Sequence, residues 1–444
     1  MTPLLLSYYG DDFTGSTDVM ESLSVHGVDT VLFLRVPDAA LLSRFSNCRA
    51  IGLAGTSRSE TPEWMDAHLP EVFSFLKNLK AAVCHYKVCS TFDSSPETGN
   101  IGRAVEIGAR IFDQRLVPLL VGAPQLKRYT AFGTLFAAYQ GETYRIDRHP
   151  VMSRHPVTPM GEADLRLHLA KQTALPVRLA DLATLASGDA DSRIDALSDD
   201  FDGMLLFDVD SLDSQRAAGT QLARLNHHGL RFMAGSSGVE YALLSRWQAE
   251  GITPGPRGFT EPGPAERIAV VSGSVSPTTE RQIRQAGPDG FETVPVDPLA
   301  LIGESGDAAR QAAVQAGMAA LEQGRSVILH TALGPGADQG TAIDRVPGSR
   351  HKIGQALGLI LLELVEQAGL TRAVIAGGDT SSHALTALKV EALTTLLPLP
   401  QTPGSPLCTA HGSHGPTNGL QISLKGGQVG TDGYFAQIRD GRRD

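Results

Sequence analysis

The densest chemistry in the chain lies near its start, where residues 8–18 read YYGDDFTGSTD. Asp11 and Asp12 are adjacent, and Thr14, Gly15, Ser16, Thr17 and a third acid, Asp18, follow in the same stretch. One acid or hydroxyl is enough to cap a helix and complement its dipole. Several polar groups crowded together suit a ligand held at the end of a strand, which is where α/β sheets place their sites. A second group, KVCSTFDS, combines Lys87, Ser90, Thr91, Asp93 and Ser94. Cations for a carboxylate, with hydroxyls and acids for sugar hydroxyls, match a polyhydroxylated anion. Arg58, flanked by Ser57 and Ser59, offers a planar fork that suits a carboxylate.

A different chemistry is written in the second half. Three turns are rich in glycine and hydroxyls: SGSVSPT at Ser272 to Thr278, with Ser274 and Ser276; GGDTSS at Gly377 to Ser382, with Gly378, Asp379 and Thr380; and KGGQVGTDG at Lys425 to Gly433, with Gly427. Small residues let a ligand approach the backbone, and free N–H groups at a helix start attract anions. Lys425 is a point charge suited to a phosphate. Together the three turns favour a phosphate-rich ligand. None reads GxxxxGK[ST], which excludes a P-loop, and none reads GxGxxG in a dinucleotide context.

The elements that position these groups alternate in type. Short apolar runs at Leu4–Leu6, residues 30–34, Ala50–Ala54, residues 81–88, 204–209, 232–237 and 268–272 read as strands, and helical spacing recurs at residues 63–79, 102–112, 278–286 and 353–368. This rhythm predicts mostly parallel sheets with right-handed crossovers. The proline in LVPLLVG, residues 116–122, points to an edge strand or a bulge. His85 lies on a strand and reads as a satisfied core histidine. From Tyr139 to Pro159 the rhythm breaks in a segment with Arg148, His149, Arg154, His155 and Pro156, which reads equally as a functional loop or as a solvated surface loop. Residues 251–265, GITPGPRGFTEPGPA, read as a linker. The expected fold is therefore two α/β domains with an active-site cleft between them. Residues 1–250 would hold a small polar acid, and residues 266–444 a phosphate-rich ligand.

Bulk properties narrow the class. The 444 residues, 42% hydrophobic with a net charge of −10, describe a soluble globular protein of two or three domains. That charge argues against nucleic acid or an anionic membrane as a general partner, though not against a small anion in a local basic pocket. Four cysteines, Cys48, Cys84, Cys89 and Cys408, form no CxxC pair, which points to a reducing cytoplasm. The opening MTPLLLSYYGDD lacks the basic and long apolar regions of a signal peptide, and the run Leu357 to Val365 is too short to span a bilayer. A homo-oligomer is compatible with all of this.

These residues resemble the four-carbon acid sugar kinase family, whose members phosphorylate threonate, erythronate or 3-oxo-tetronate with ATP. GDDFTGSTD resembles the family's DDxTG opening, KVCSTFDSSPETGNIGRA the segment around its substrate pocket, and HPVTPMGEADL the loop that follows. GSVSPTT, GGDTSSHAL, PGSP at Pro403 to Pro406 and LKGGQVG are similar to its nucleotide-domain motifs. The resemblance implies that Asp12, Arg58 and Lys87 to Ser94 hold the substrate, and that Ser274, Gly377 to Thr380 and Gly404 hold ATP. Where 3-oxo-tetronate kinases carry a segment like PENGR, this chain reads APQLKRYTAFG from Ala123 to Gly133. A branched acid such as 3-oxo-isoapionate fits such a reshaped pocket equally well.

The expected activity is an ATP- and Mg2+-dependent kinase acting on the terminal hydroxyl of a short sugar acid. Asp12 is the first choice as base and Asp93 the second. Asp11, Ser90, Thr91 and Ser94 line the acceptor, and Arg58 and Lys87 neutralise its carboxylate. Helix-start N–H groups from Gly377 to Thr380 hold phosphate, with Ser276, Lys425 and Gly427 beside them and Asp379 on magnesium. Two other classes remain: a non-catalytic protein that closes on an organic acid, and an NAD-dependent dehydrogenase for the same acids.

Overall fold

The computed structural model describes residues 3–155, 157–343, 345–346 and 348–443, with the backbone alone for Asp379. The chain forms two compact units, one of Met1–Val31 and Arg35–Arg257, the other of Leu32–Leu34 and Gly258–Asp444.

The strands of the first half are β1 (Leu6–Gly10), β2 (Thr30–Phe33), β3 (Ala50–Ala54), β4 (Val83–Lys87), β5 (Leu116–Leu120), β6 (Arg128–Ala131), β7 (Thr134–Tyr139), β8 (Glu142–Arg145), β9 (Val177–Ala180), β10 (Gly203–Phe207) and β11 (Phe232–Gly235). In unit 1 the parallel strands run in the order β3-β1-β4-β11-β5-β10-β9. Strands β1, β3, β4, β5 and β10 are buried at every position, as in a sheet covered by helices on both faces. From β3 to β4 and from β4 to β5 the chain moves one way across the sheet; from β1 to β3 and from β10 to β11 it moves the other way. Right-handed crossovers then place the helices Pro62–Asn78 and Ile101–Phe112 on one face, and Phe13–Val25 and Leu212–His227 on the other. The two directions part between β1 and β4. At such a switch point the carboxyl ends of the strands open a crevice.

Three expectations are corrected here. Strand β1 begins at Leu6 and continues through Tyr8 and Tyr9, which the sequence reading gave to the turn. Both tyrosines are buried, and Tyr9 stacks on its register partner Tyr86 at 6.1 Å while Phe73 meets both rings edge-on. Strand β5 is neither edge nor bulge, because it pairs with β10 and β11. Pro118 is tolerated because the β11 ladder starts only at Leu119. Before it, the Gln114 amide bridges the gap, donating to the Leu116 and Phe232 carbonyls and accepting from the Arg231 and Phe232 N–H groups. Finally, the expected loop at residues 139–159 begins inside an antiparallel sheet, β6-β7-β8. Its turns, Phe132-Gly133 and Gln140-Gly141, hold positive φ at both central residues, the I′ geometry that matches strand twist.

Unit 2 contains β12 (Ala269–Ser272), β13 (Phe291–Pro295), β14 (Ser326–His330), β15 (Arg372–Ala376), β16 (Val390–Leu397), β17 (Leu407–Gly412) and β18 (Gln421–Lys425). The order β13-β14-β12-β15-β18 is parallel, and β17 and β16 extend it antiparallel. Leu32 and Phe33 then pair with Leu393 and Ala392. Val270, Phe291, Ile328, Val374, Leu407 and Tyr434 belong to one buried apolar cluster. Among the described residues, no helix is long and apolar enough to cross a membrane.

Candidate functional site

In unit 1 the ends of β3, β1 and β4 are tied together by their backbones. Asp11 N donates to Lys87 O at 2.9 Å, Arg58 N to Asp11 O at 3.1 Å and Gly55 N to Gly10 O at 2.9 Å. Asp12 then caps the helix Phe13–Val25, its Oδ1 accepting from Gly15 N at 2.6 Å. Its other oxygen takes Arg58 Nη1 at 2.9 Å. The same guanidinium grips Asp93, with Nη2 at 2.8 Å and Nε at 3.3 Å from Oδ2. Thr91 Oγ1 donates to Asp93 Oδ1 at 2.5 Å and Thr158 Oγ1 to Oδ2 at 3.3 Å. Arginine is the cation that can bridge two carboxylates in a fixed plane. Between Thr91 and Asp93, Phe92 is buried at a positive φ of 57°, an unusual backbone for a bulky residue and a mark of a constrained loop.

Burial sets the charges. Burial, reinforced by Asp12, pushes Asp11 up to about 7 against the pull of Arg58 and Lys87, and its Oδ1 is buried with no partner among the described residues. Asp93 is also buried, yet Arg58 and Thr91 outweigh that and hold it down to about 2. Lys87 is 2% exposed; burial disfavours its charge, but Asp18, Asp11 and Asp12 raise its pKa. A Cβ on Gly15 would stand 2.8 Å from Lys87 Nζ and 2.5 Å from Asp12 Oδ1, so a larger residue would displace the ends of both side chains.

In unit 2 the glycine turns follow β12, β15 and β18, which are neighbours. Gly273 N donates to Ala376 O at 3.1 Å and Gly377 N to Lys425 O at 2.8 Å. Thr279 Oγ1 donates to Gly427 O at 3.1 Å and meets Ser274 Oγ at 3.1 Å. A Cβ on Gly273 would stand 2.2 Å from Thr380 Oγ1, and Gly377 has a φ of +120°. The helices Pro277–Ala286 and Gly378–Ala387 start at these turns, so their N–H groups surround space kept open by absent side chains. Lys425 is fully buried and donates to Thr279 Oγ1 at 3.0 Å and to the Gly426 and Gly427 carbonyls at 2.8 and 3.4 Å. Burial alone lowers it to about 7.

Residues 6–243 match the model of a sugar-binding N-terminal domain, and residues 269–435 that of a nucleotide-binding C-terminal domain. A 3-oxo-isoapionate kinase of Paraburkholderia graminis is 46% identical, covering 99% of this chain and 95% of its own length. The chain belongs to the four-carbon acid sugar kinase family. Family members named 3-oxo-tetronate kinase, from Methylobacterium radiotolerans and Cupriavidus necator, are 28% and 29% identical over 98% and 97% of the kinase described here, and over 99% and 95% of their own lengths. A solved structure from Salmonella typhimurium shares the fold at a TM-score of 0.77 and 23% identity, covering 97% of this chain and 98% of its own. The chain is thus a sugar acid kinase, and a kinase draws its phosphoryl group from a nucleotide.

Of the residues expected in unit 1 of this kinase, Asp11, Asp12, Arg58, Lys87, Thr91 and Asp93 come together. Ser90 stands in the turn that leads to Thr91. Ser94 is engaged elsewhere: its hydroxyl bonds Phe92 O, His168 Nε2 and Gln172 Nε2. The sequence reading named Asp18 as the third acid of the opening stretch but gave it no role; it accepts from Ser237 beside Lys87. That reading missed Thr158, which lies in HPVTPM two residues before Met160. His85 is buried with its ring nitrogens on Glu240 and Gly235 O. In unit 2, Ser274, Gly377, Thr380, Lys425 and Gly427 converge, and Gly378 opens the second helix. Ser276 caps the first helix through Thr278 N at 3.1 Å. Gly404 lies in the turn that enters β17, where Ser423 Oγ of β18 holds the Ser405 and Pro406 carbonyls. The Asp379 side chain, the expected magnesium ligand, lies outside the described part. A cavity of about 670 Å3 between Asp113, Asp199 and His228 contains none of these residues.

Proposed function

We propose that this kinase transfers the γ-phosphoryl group of ATP to the terminal hydroxyl of a branched 3-oxo sugar acid of the isoapionate kind. The acid binds unit 1 and the nucleotide unit 2. The acceptor class is supported by the 46% identity to a relative of that name, against 28–29% to relatives named for 3-oxo-tetronate. The altered segment Ala123 to Gly133 supports it too.

The observation that carries the chemistry is the state of Asp12. Arg58 and Gly15 N fix both of its oxygens, yet 28% of the side chain is exposed, so a lone pair remains for the attacking hydroxyl. Asp93, by contrast, accepts from Arg58, Thr91 and Thr158 and is fully buried. It orients Arg58, which orients Asp12. A loose phosphoryl transition state asks little of a base beyond placement. Backbone N–H groups at Gly377 to Thr380 and the hydroxyls of Ser274 and Thr380 hold phosphate oxygens. Among the described residues, no group of three or more His, Cys, Asp or Glu could cage a metal. Magnesium arriving with a triphosphate needs no such cage, since it keeps waters and phosphate ligands, and it would neutralise charge on the transferring group. The four cysteines, all free thiols, support a cytoplasmic setting, where ATP is plentiful.

A coupled ADP-release assay over threonate, erythronate, their 3-oxo forms and 3-oxo-isoapionate tests the reading. Turnover should be highest with 3-oxo-isoapionate. Higher turnover with an unbranched acid would reject the branched acceptor, and no ADP release with any of them would reject the whole class.

A further inference from the structure

The acid group of unit 1 has no spare positive charge for an incoming carboxylate. Asp11, Asp12, Asp18 and Asp93 outnumber Arg58 and Lys87, and Arg58 already bridges two of the four. Lys87 faces the other two from a buried position. A substrate carboxylate placed there would have to compete with those acids for both cations, so a cation to one side is the better partner.

Arg128 stands at the carboxyl end of β5, two strands along the sheet from β4. It opens β6 in the segment that departs from the family pattern, and its backbone is clamped to the end of β5: Ala123 N donates to Arg128 O at 2.9 Å, and Arg128 N to Ala123 O at 3.1 Å. Lys127, at a φ of +54°, turns the chain into that clamp. The guanidinium is held by Nη1, which donates to the carbonyls of Leu126 and Lys127 at 2.9 and 3.2 Å. Its Nε is buried with no partner among the described residues. No ion pair forms between Arg128 and any described carboxylate, whereas Arg145 and Arg166 each have one and Arg58 and Arg103 each have two. Burial accordingly depresses its pKa, with Cys89 and Tyr129 opposing. Strand β5 lies beside β11, and β11 beside β4, which ends in Lys87, so the clamp sets Arg128 at the same carboxyl edge of the sheet, about 10 Å along it from the end of β4. A half-buried arginine with an idle donor and no counter-ion is poised for an anion.

We infer that Arg128 takes the carboxylate of the sugar acid, while the acid group receives its hydroxyl end. The inference rests on the proposed acceptor class. It revises the expectation that Arg58 and Lys87 neutralise that carboxylate.

The test compares the best acceptor of the ADP-release screen with its carboxamide, in the native enzyme and in Arg128→Met and Arg128→Lys. Loss of a charge-assisted hydrogen bond should raise KM for the acid by about ten- to a hundredfold in Arg128→Met, leave kcat nearly unchanged as uniform binding requires, and leave KM for the carboxamide as it is. Arg128→Lys should recover part of the loss. An intact rise in melting temperature with ADP shows that Arg128→Met is folded. Should it fail to fold, Arg128→Lys decides alone: a rise in KM confined to the acid supports the inference, and an equal rise for acid and carboxamide overturns it. An unchanged KM for the acid in Arg128→Met also overturns it. Absence of activity in the native enzyme on every acid would instead defeat the proposed acceptor class.

Discussion

Around Arg58 the polar groups are side chains locked into ion pairs, whereas around Gly377 they are backbone atoms laid bare by missing side chains. The first arrangement fixes direction. A guanidinium held by Asp93 leaves Asp12 few rotamers, so the acid is aimed before any ligand arrives. The second fixes shape. Its donors are N–H groups that point wherever the backbone points, and glycine keeps the space in front of them empty. Charge must therefore matter most in unit 1 and volume most in unit 2.

The largest effect should come from removing one charge without changing shape. Asp12→Asn keeps the helix cap, since asparagine caps as well as aspartate, but it loses the proton acceptor. We expect kcat to fall by about 10²- to 10⁴-fold, with the ADP-induced rise in melting temperature unchanged. A small fall in kcat would break the assignment of chemistry to the charged region. Adding one methyl group is the matching change in unit 2. Gly273→Ala would press a Cβ to within 2.2 Å of Thr380 Oγ1, and Gly377→Ala would force alanine to a φ of +120°. Strain of this kind costs roughly 1–3 kcal/mol, so nucleotide KM should rise about ten- to a hundredfold while acceptor KM stays put. Equal rises in both would show that volume is not confined in its effect to the nucleotide.

The two regions also differed in how far the sequence disclosed them. Glycine beside serine and threonine between an apolar run and a helical pattern marks a strand–helix junction, so the turns at Ser272, Gly377 and Lys425 were legible as turns from spacing alone, each a weak signal of a ligand until the three were taken together. The alternation of strands and helices was legible for the same local reason. Ion pairs between distant residues were not: Arg58 and Asp93 are 35 positions apart, and nothing in either segment names the other. Lys425 was read as a free point charge because composition cannot show burial. Pro118 misled because the amide that bridges its gap is supplied by Gln114, which no strand pattern exposes. The hairpins β6-β7-β8 did carry a signal in the dipeptides Phe132-Gly133 and Gln140-Gly141, each flanked by apolar and β-branched residues, but a cluster of histidines and arginines drew the reading to a loop.

Lys425 is the exception that sharpens the contrast, a buried cation in the region built of backbone. It has neutral acceptors only, and its pKa of about 7 lies below the ordinary 10.5. Between those two values the unfolded chain binds the proton and the folded one does not, so stability of the ligand-free protein gains from a rise in pH across that window. Nucleotide phosphates supply the missing counter-charge and favour the ammonium. ADP binding should therefore take up a proton above pH 7, and affinity should weaken by up to about tenfold per pH unit there. Calorimetry in buffers of different ionisation enthalpy reads the proton directly. In Lys425→Met the uptake should vanish, and a persistent uptake would place the proton elsewhere.

The smallest expected effect concerns Asp11 and has the opposite sign. Its carboxyl is raised from 3.8 to about 7, chiefly by burial, so the folded state binds its proton more tightly than the unfolded chain does between those values. Stability contributed by this site is thus full below pH 4 and is lost as pH rises through 7. Asp93, held down to about 2, acts the other way: its contribution is full above pH 4 and is lost as pH falls toward 2. Asp11→Asn removes the charge that unit 1 pays to bury. Relative to the native protein the variant should melt a few degrees higher at pH 8, with the advantage shrinking toward pH 5, where Asp11 is already protonated in the fold. An advantage of equal size at both values would mean that Asp11 is not the group that titrates, and that the charged region is held by its ion pairs without the strain its buried acid implies.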